Sequence, residues 1–235
     1  LDALSMPDRL APERRLVAAG IPWFVALFGR DSLIASHQAR AFVPHQLLDT
    51  LLALAARQGQ MSDPGNEEEP GKILHEVRLT RRPWLGEGTA AGVRPYYGSV
   101  DATPLFLILY GTLWRWGASR TELELLLPAA RAALQWMRGP GDPDSDGLLE
   151  YRPTGSRSLS NQSWKDSVDA VQFADGHLAE GPIAMVEVQG YAYRARREMV
   201  AVLRHLGHDA EGDAVEAEAE VIRAHVREQF WRPAI

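Results

Sequence analysis

Apolar residues recur along this chain at helical spacing, and glycines and prolines cut the pattern into discrete segments. A short helical stretch is expected at Pro12–Ala19, ended by Gly20. Asp31 is placed as the N-cap of a helix running to about Phe42. Val43-Pro44 breaks it, because a residue before proline disfavours the α region. Leu47, Leu48, Leu51, Leu52 and Leu54 form one face of a helix over Pro44–Gln58, which Gly59 stops. Asp101–Trp116 is apolar all round, as a fully buried helix would be, and Gly117 ends it. Ser119 and Glu122 have capping-box spacing and open a helix to Arg138, in which Pro128 predicts a break or kink. Pro182 is set at the first turn of a helix reaching Gly207. The last helix, Ala210–Phe230, is amphipathic: Val215, Ala219, Ile222, Val226 and Phe230 share a stripe opposite a face of Glu and Arg. Strand patterning is confined to short pieces such as Leu148–Pro153.

These helices fall into three pairs, each joined by a tight turn, so the members of a pair are antiparallel neighbours. In the second and third pairs the first helix is the more uniformly apolar, as an inner layer wrapped by an outer one requires. Two long connections, Gln60–Gly98 and Gly141–Gly181, link pair to pair. The first is too long for a mere link and is expected to be functional or lid-like. If the first helices run parallel, the polar segments that precede them converge on one rim: Phe28–Ser32, Tyr96–Asp101 and the stretch from Asn161–Ala170 on to Glu180–Ile183. Helix N-termini direct their positive ends to the same rim.

Composition narrows the class. The chain has 235 residues, 46% of them hydrophobic and 24% charged, enough to bury a substantial core. A net charge of −6 argues against nucleic acid or an anionic membrane as partner. The absence of cysteine excludes disulfides and Cys-ligated zinc. No signal peptide or membrane-spanning run is apparent, so the cytoplasm is the expected compartment.

The candidate chemistry lies in the polar segments. Asn161–Ala170 carries Trp164, Lys165, Asp166 and Asp169; on the residues alone, either acid can equally be a cap or a solvated loop carboxylate. Lys165 is expected to point away from Asp166. Arg30 and Asp31 form a charged pair suited to vicinal hydroxyls, or a cap with a structural ion pair. Trp23, Tyr96, Tyr97 and Trp164 are candidate platforms for sugar rings, while Trp114, Trp116 and Trp136 are assigned to the core. Asp101 is read as a cap or a ligand contact. Glu187 and Gln189, on an inner helix, are read as facing a cavity or as a satisfied buried pair. Asp142, Asp144, Asp146 and Gly147 open like a calcium loop. Its twelfth position, however, is Pro153 rather than a bidentate Glu, leaving Glu150 as a substitute or the whole segment as a solvated turn. The run Glu67–Glu69 is expected to be solvated and mobile. His75 and Glu76 are given no role beyond contact on the substrate side.

Five segments in order carry a family resemblance: GIPWF with GRDS, YYGSVDATPLF, DSDGLLEY, NQSWKDS and EVQGYAYRA. With them the chain resembles glycogen-debranching (amylo-α-1,6-glucosidase) glycoside hydrolases, within the six-hairpin class that includes glucoamylase. The resemblance implies an all-α fold in which antiparallel helical hairpins build an (α/α)6 toroid. Three hairpins correspond to about half of it. It implies inverting hydrolysis of an α-glucosidic bond in an oligo- or polysaccharide, with no cofactor. Asp166 matches the general acid, with Asp169 as runner-up. Arg30 and Asp31 match the grip on the sugar in the cleavage subsite, and Trp23, Tyr97, Asp101, Trp164, Asp169, Glu187 and Gln189 are the further substrate contacts considered. The general base would come from a glutamate beyond Ile235, so these residues alone are expected to be inactive and to self-associate through the flank of a half toroid. A related hydrolase of a small glycoside, and a non-catalytic carbohydrate-binding scaffold, are the alternatives.

Overall fold

The computed structural model describes residues 4–78, 94–155 and 158–231. Six α-helices dominate them: α1 (Gly29–Ala39), α2 (His45–Ala55), α3 (Ala102–Arg115), α4 (Arg120–Arg138), α5 (Val186–His205) and α6 (Asp209–His225). A π-helical turn, Val226–Phe230, follows α6. No helix among the described residues is long and apolar enough to cross a membrane.

Each odd-numbered helix packs on the even-numbered helix that follows it. The odd-numbered helices also pack on one another in the order α1, α3, α5. The helix α3 sits in the middle of that row, and this explains its composition. Phe106, Leu107, Leu109 and Tyr110 are all buried, because it is covered on several sides. Its contact with α5 is unusually close at Gly111, where an added Cβ would run into the buried carboxylate of Glu198. Arg115 and Arg194 pair with Glu198. Ion pairs cross the outer helices, Arg131 with Glu211 at 2.6 Å and Arg138 with Glu218 at 2.7 Å. Being partly exposed, each is worth about 0.2–1 kcal/mol and does more for register than for stability.

Several boundaries differ from the sequence expectation. Two short strands, β1 (Ser5–Pro7) and β2 (Arg15–Val17), pair antiparallel where a helix over Pro12–Ala19 was expected. That stretch offers only about two turns of helix, too few to hold without packing, whereas pairing with β1 buries Leu16. A second pair, β3 (Ala26–Phe28) and β4 (Glu76–Arg78), explains why α1 starts before Asp31. Phe28 pairs with Glu76, and the amide of Gly29 donates to the carbonyl of His75 at 2.8 Å, so the chain turns from strand to helix at Gly29. Asp31 therefore lies inside the first turn, where its charge still favours the helix end. Similarly, Pro182 lies outside α5, because Ile183 is held in an antiparallel bridge to Tyr151 and the helix waits until Val186. Of the β-like piece expected at Leu148–Pro153, only Tyr151 pairs, in this isolated bridge.

The capping box at Ser119 and Glu122 is present in full. Pro128 does not break α4, which continues as one helix. The roughly 3 kcal/mol that an interior proline costs is offset by a buried face that includes Leu123, Leu126, Leu127, Ala130 and Leu134. Trp136 is core as expected, but Trp116 is exposed at the end of α3 under the guanidinium of Arg40.

Candidate active site

Three distant segments meet at Arg30. The β3–α1 junction carries Arg30 itself, the turn before α3 carries Asp101, and the connection before α5 carries Asp166. Arg30 donates through Nη1 to Asp101 Oδ2 at 3.0 Å and through Nη2 to Asp166 Oδ2 at 3.2 Å. The two acids differ in exposure. Asp101 is fully buried, while the Asp166 side chain is 44% exposed, so the cluster has a dry end and an open end. Burial alone would make the Arg30 guanidinium easier to deprotonate. Asp101, then Asp31 and Asp166, outweigh that and hold it above its ordinary value.

The turn before α3 is organised around Ser99 rather than around a cap from Asp101. The Ser99 hydroxyl donates to Asp101 Oδ1 at 2.6 Å and accepts from the amide of Ala102, the first residue of α3. Both oxygens of Asp101 are thus occupied, one by a neutral donor and one by Arg30. A buried carboxylate satisfied in this way orients Arg30 without relaxing when the open side changes.

A cleft of about 660 Å³ opens beside Arg30 between the N-terminal strands, α1 and α5. Asp31, Ile34, Trp164 and Tyr191 line it. Its size is that of a small-ligand site. Trp164 is 57% exposed, and Lys165 lies over its ring, turned to the indole as expected rather than to Asp166. Trp23 is exposed as well. On α5, Tyr191 stands one turn beyond Glu187 on the same face. Burial raises the Tyr191 phenol, with Asp101 and Glu187 adding to the shift. One oxygen of the half-buried Glu187 side chain, Oε1, is enclosed without a hydrogen-bond partner among the described residues.

Compared with protein-family models and with curated proteins, the chain matches none.

Not every expected contact reaches the cleft. Tyr97 is buried, and its hydroxyl donates to the carbonyl of Arg57 at 2.7 Å, so its ring is a core element and not a sugar platform. Gln189 is also buried. Its amide clamps the backbone of Leu149, accepting from the Leu149 amide at 2.8 Å and donating to the Leu149 carbonyl at 2.7 Å. It is the satisfied buried residue of the two readings, not a cavity contact. Asp169 is exposed on the surface of its loop. The run Glu67–Glu69 is neither solvated nor loose: Glu67 is buried, Glu68 accepts from the amide of Gln60, and Glu69 accepts from the indole of Trp136 at 2.7 Å. Of the connection Gln60–Gly98 expected to be lid-like, residues 79–93 lie outside the described residues.

Asp142, Asp144 and Asp146 each offer an oxygen within 4.8 Å of the others, and these would be the ligands for a cation. All three already accept from backbone amides of their own turn, Asp142 from Gly147, Asp144 from Asp146 and Asp146 from Leu148. Burial raises the Asp142 carboxyl, as do Asp146 and Asp144, and Glu150 is raised by burial and by the same acids. That pattern suits a cation site and a solvated turn equally.

His75 is the residue the sequence reading undervalued. It is buried beside the Arg30 cluster, with its ring edge-on to Phe28 and Tyr96 at 5.5 and 5.7 Å. Burial, and then the neighbouring Arg30, lower its pKa to about 4. The folded protein therefore holds a neutral imidazole, while the unfolded chain takes up a proton near its ordinary pKa of about 6.5. The stability tied to that neutral ring is present above about pH 6.5 and is lost as the pH falls through the folded value. Denaturant unfolding at about pH 7 and about pH 4.5 should show a loss roughly 2.5 kcal/mol larger for wild type than for His75→Phe. Equal losses would show that the ring is not held neutral.

Proposed function

We propose that this chain is the part of an (α/α)6 toroid glycoside hydrolase that carries the general acid, and that it cleaves α-glucosidic linkages with inversion, in the manner of a debranching α-1,6-glucosidase. The observation that carries this reading is the single guanidinium of Arg30 shared between buried Asp101 and open Asp166. The row α1, α3, α5 with α2, α4 and α6 packed on it is what three consecutive hairpins of such a toroid would look like. Trp164 beside Asp166 supplies an exposed aromatic face for a pyranose ring.

In this reading Asp166 delivers a proton to the glycosidic oxygen as the bond to the anomeric carbon breaks. A water attacks the opposite face of that carbon and gives up its proton to a second carboxylate, about 6.5–9.5 Å from the first. No residue of the Arg30 cluster is assigned the role of that base. A carboxylate paired with Arg30 has no proton to give, so substrate entry has to break the Asp166–Arg30 bond and Asp166 has to take up a proton from solvent before it can act as the acid. Arg30 then turns its freed Nη2 to the sugar hydroxyls and stays anchored on Asp101.

The test is the anomer first released from an α-1,6-branched dextrin by the full natural gene product, followed by proton NMR. β-Glucose is expected before mutarotation; α-glucose first, or no glucose, defeats the reading. Arg30→Ala should cut kcat/KM at least tenfold, or about 1.4 kcal/mol of transition-state binding. Unchanged kinetics would remove Arg30 from the subsite.

A further inference from the structure

Away from the Arg30 cluster, Glu67 is the group most at odds with its setting. It is 5% exposed, and its backbone sits at φ 58°, in the left-handed region that non-glycine residues seldom occupy. Among the described residues no cation pairs with its carboxylate; Lys72 reaches only its backbone carbonyl. Neutral donors meet the charge instead. Oε1 accepts from the Thr154 amide at 2.9 Å, and Oε2 accepts from Gln162 Nε2 at 2.7 Å and from the Tyr96 hydroxyl at 3.1 Å. A buried carboxylate is costly unless such bonds are complete, so its presence asks for a purpose.

The bonds lead to both acids on Arg30. Gln162 lies four residues before Asp166, and its carbonyl accepts at 2.8 Å from the amide of Val100, the neighbour of Asp101. The Tyr96 hydroxyl that donates to Glu67 also accepts from the amide of Leu159, at the start of the same loop. We propose that Glu67 is a positioning residue: it latches the 159–166 loop to the turn before α3 and so sets Asp166 on Arg30. Only the role of Asp166 once it is positioned rests on the hydrolase reading above.

The test compares wild type with Glu67→Gln, with Gln162→Ala, and with the exchange Glu67→Gln/Gln162→Glu, which rebuilds a carboxylate–amide pair in reverse. Deuterium uptake is followed in peptides covering 94–104 and 158–168. Both single variants should speed exchange there by about tenfold, leaving α4 and α6 unchanged, and the exchange should recover most of the protection. In parallel, kcat should fall about tenfold at nearly constant KM, the mark of misplaced chemistry rather than lost binding. If Glu67→Gln does not fold, Gln162→Ala removes the same bond from the loop side. Unchanged uptake in 158–168, or loosening spread evenly over α3 to α6, overturns the proposal. If the uptake pattern holds in a protein that releases no glucose, the latch stands and the hydrolase reading fails.

Discussion

Asp166→Asn is expected to slow glycosidic cleavage by about 10²–10⁴-fold, the usual contribution of a positioned general acid. Asparagine keeps the size of the side chain and an oxygen that can still accept from Arg30, now 3.2 Å away. The fold and the Arg30–Asp101 pair should survive, and only the proton is lost. The size of the defect should therefore depend on the leaving group. An α-glucoside whose aglycone leaves without protonation, such as a dinitrophenol, should be cleaved with a much smaller loss than a branched dextrin. An equal loss on both substrates would mean that Asp166 serves binding rather than proton transfer. An unchanged rate on dextrin would remove it from the mechanism, and the same leaving-group pattern for Asp169→Asn would transfer the role.

Gly29→Ala is the second large effect, and it acts on the scaffold beneath the same residues. Gly29 is buried where β3 turns into α1, and its amide is fixed to the His75 carbonyl. An added Cβ would run into the backbone carbonyl oxygen of Leu74 and lie 3.1 Å from the Cβ of Ala102. The backbone of Leu74 cannot step aside easily, because β4 follows it and is paired with β3. Overpacking against fixed backbone costs about 3 kcal/mol, which for a domain of this size lowers the unfolding midpoint by roughly 10 °C. Arg30 is the next residue, so weakened pairing with Asp101 should accompany the loss. A thermal unfolding midpoint within about 2 °C of wild type would show that the junction is free to move.

The helices were legible because each carries its own periodicity and stop signals. Leu47, Leu51 and Leu54 identify α2, and Ser119 with Glu122 identifies the start of α4. The boundaries that failed are those set by a distant partner. Glu76 places the start of α1, and Tyr151 delays the start of α5. Nothing within either helix encodes those pairings. The site divides in the same way. Arg30, Asp101 and Asp166 stood out as charged residues in turns before apolar helices, and they meet. Tyr96 and Tyr97 are indistinguishable by composition, yet adjacent residues of extended chain face opposite ways. One hydroxyl bonds Glu67 and the other the carbonyl of Arg57 at the end of α2. Glu67 itself read as one of three solvated acids, because the donors that surround it come from Tyr96, Thr154 and Gln162.

The close approach at Gly111 has a consequence for how sequences of this kind can drift. Glu198 occupies the space that a side chain at position 111 would need, and Arg115 and Arg194 both depend on Glu198. These four positions are physically coupled. A larger residue at 111 is tolerable only alongside a smaller, uncharged residue at 198, and that exchange leaves two arginines without the counter-charge they have among the described residues. Homologues should therefore either keep all four or replace them together, and the spacing between α3 and α5 should separate the two groups.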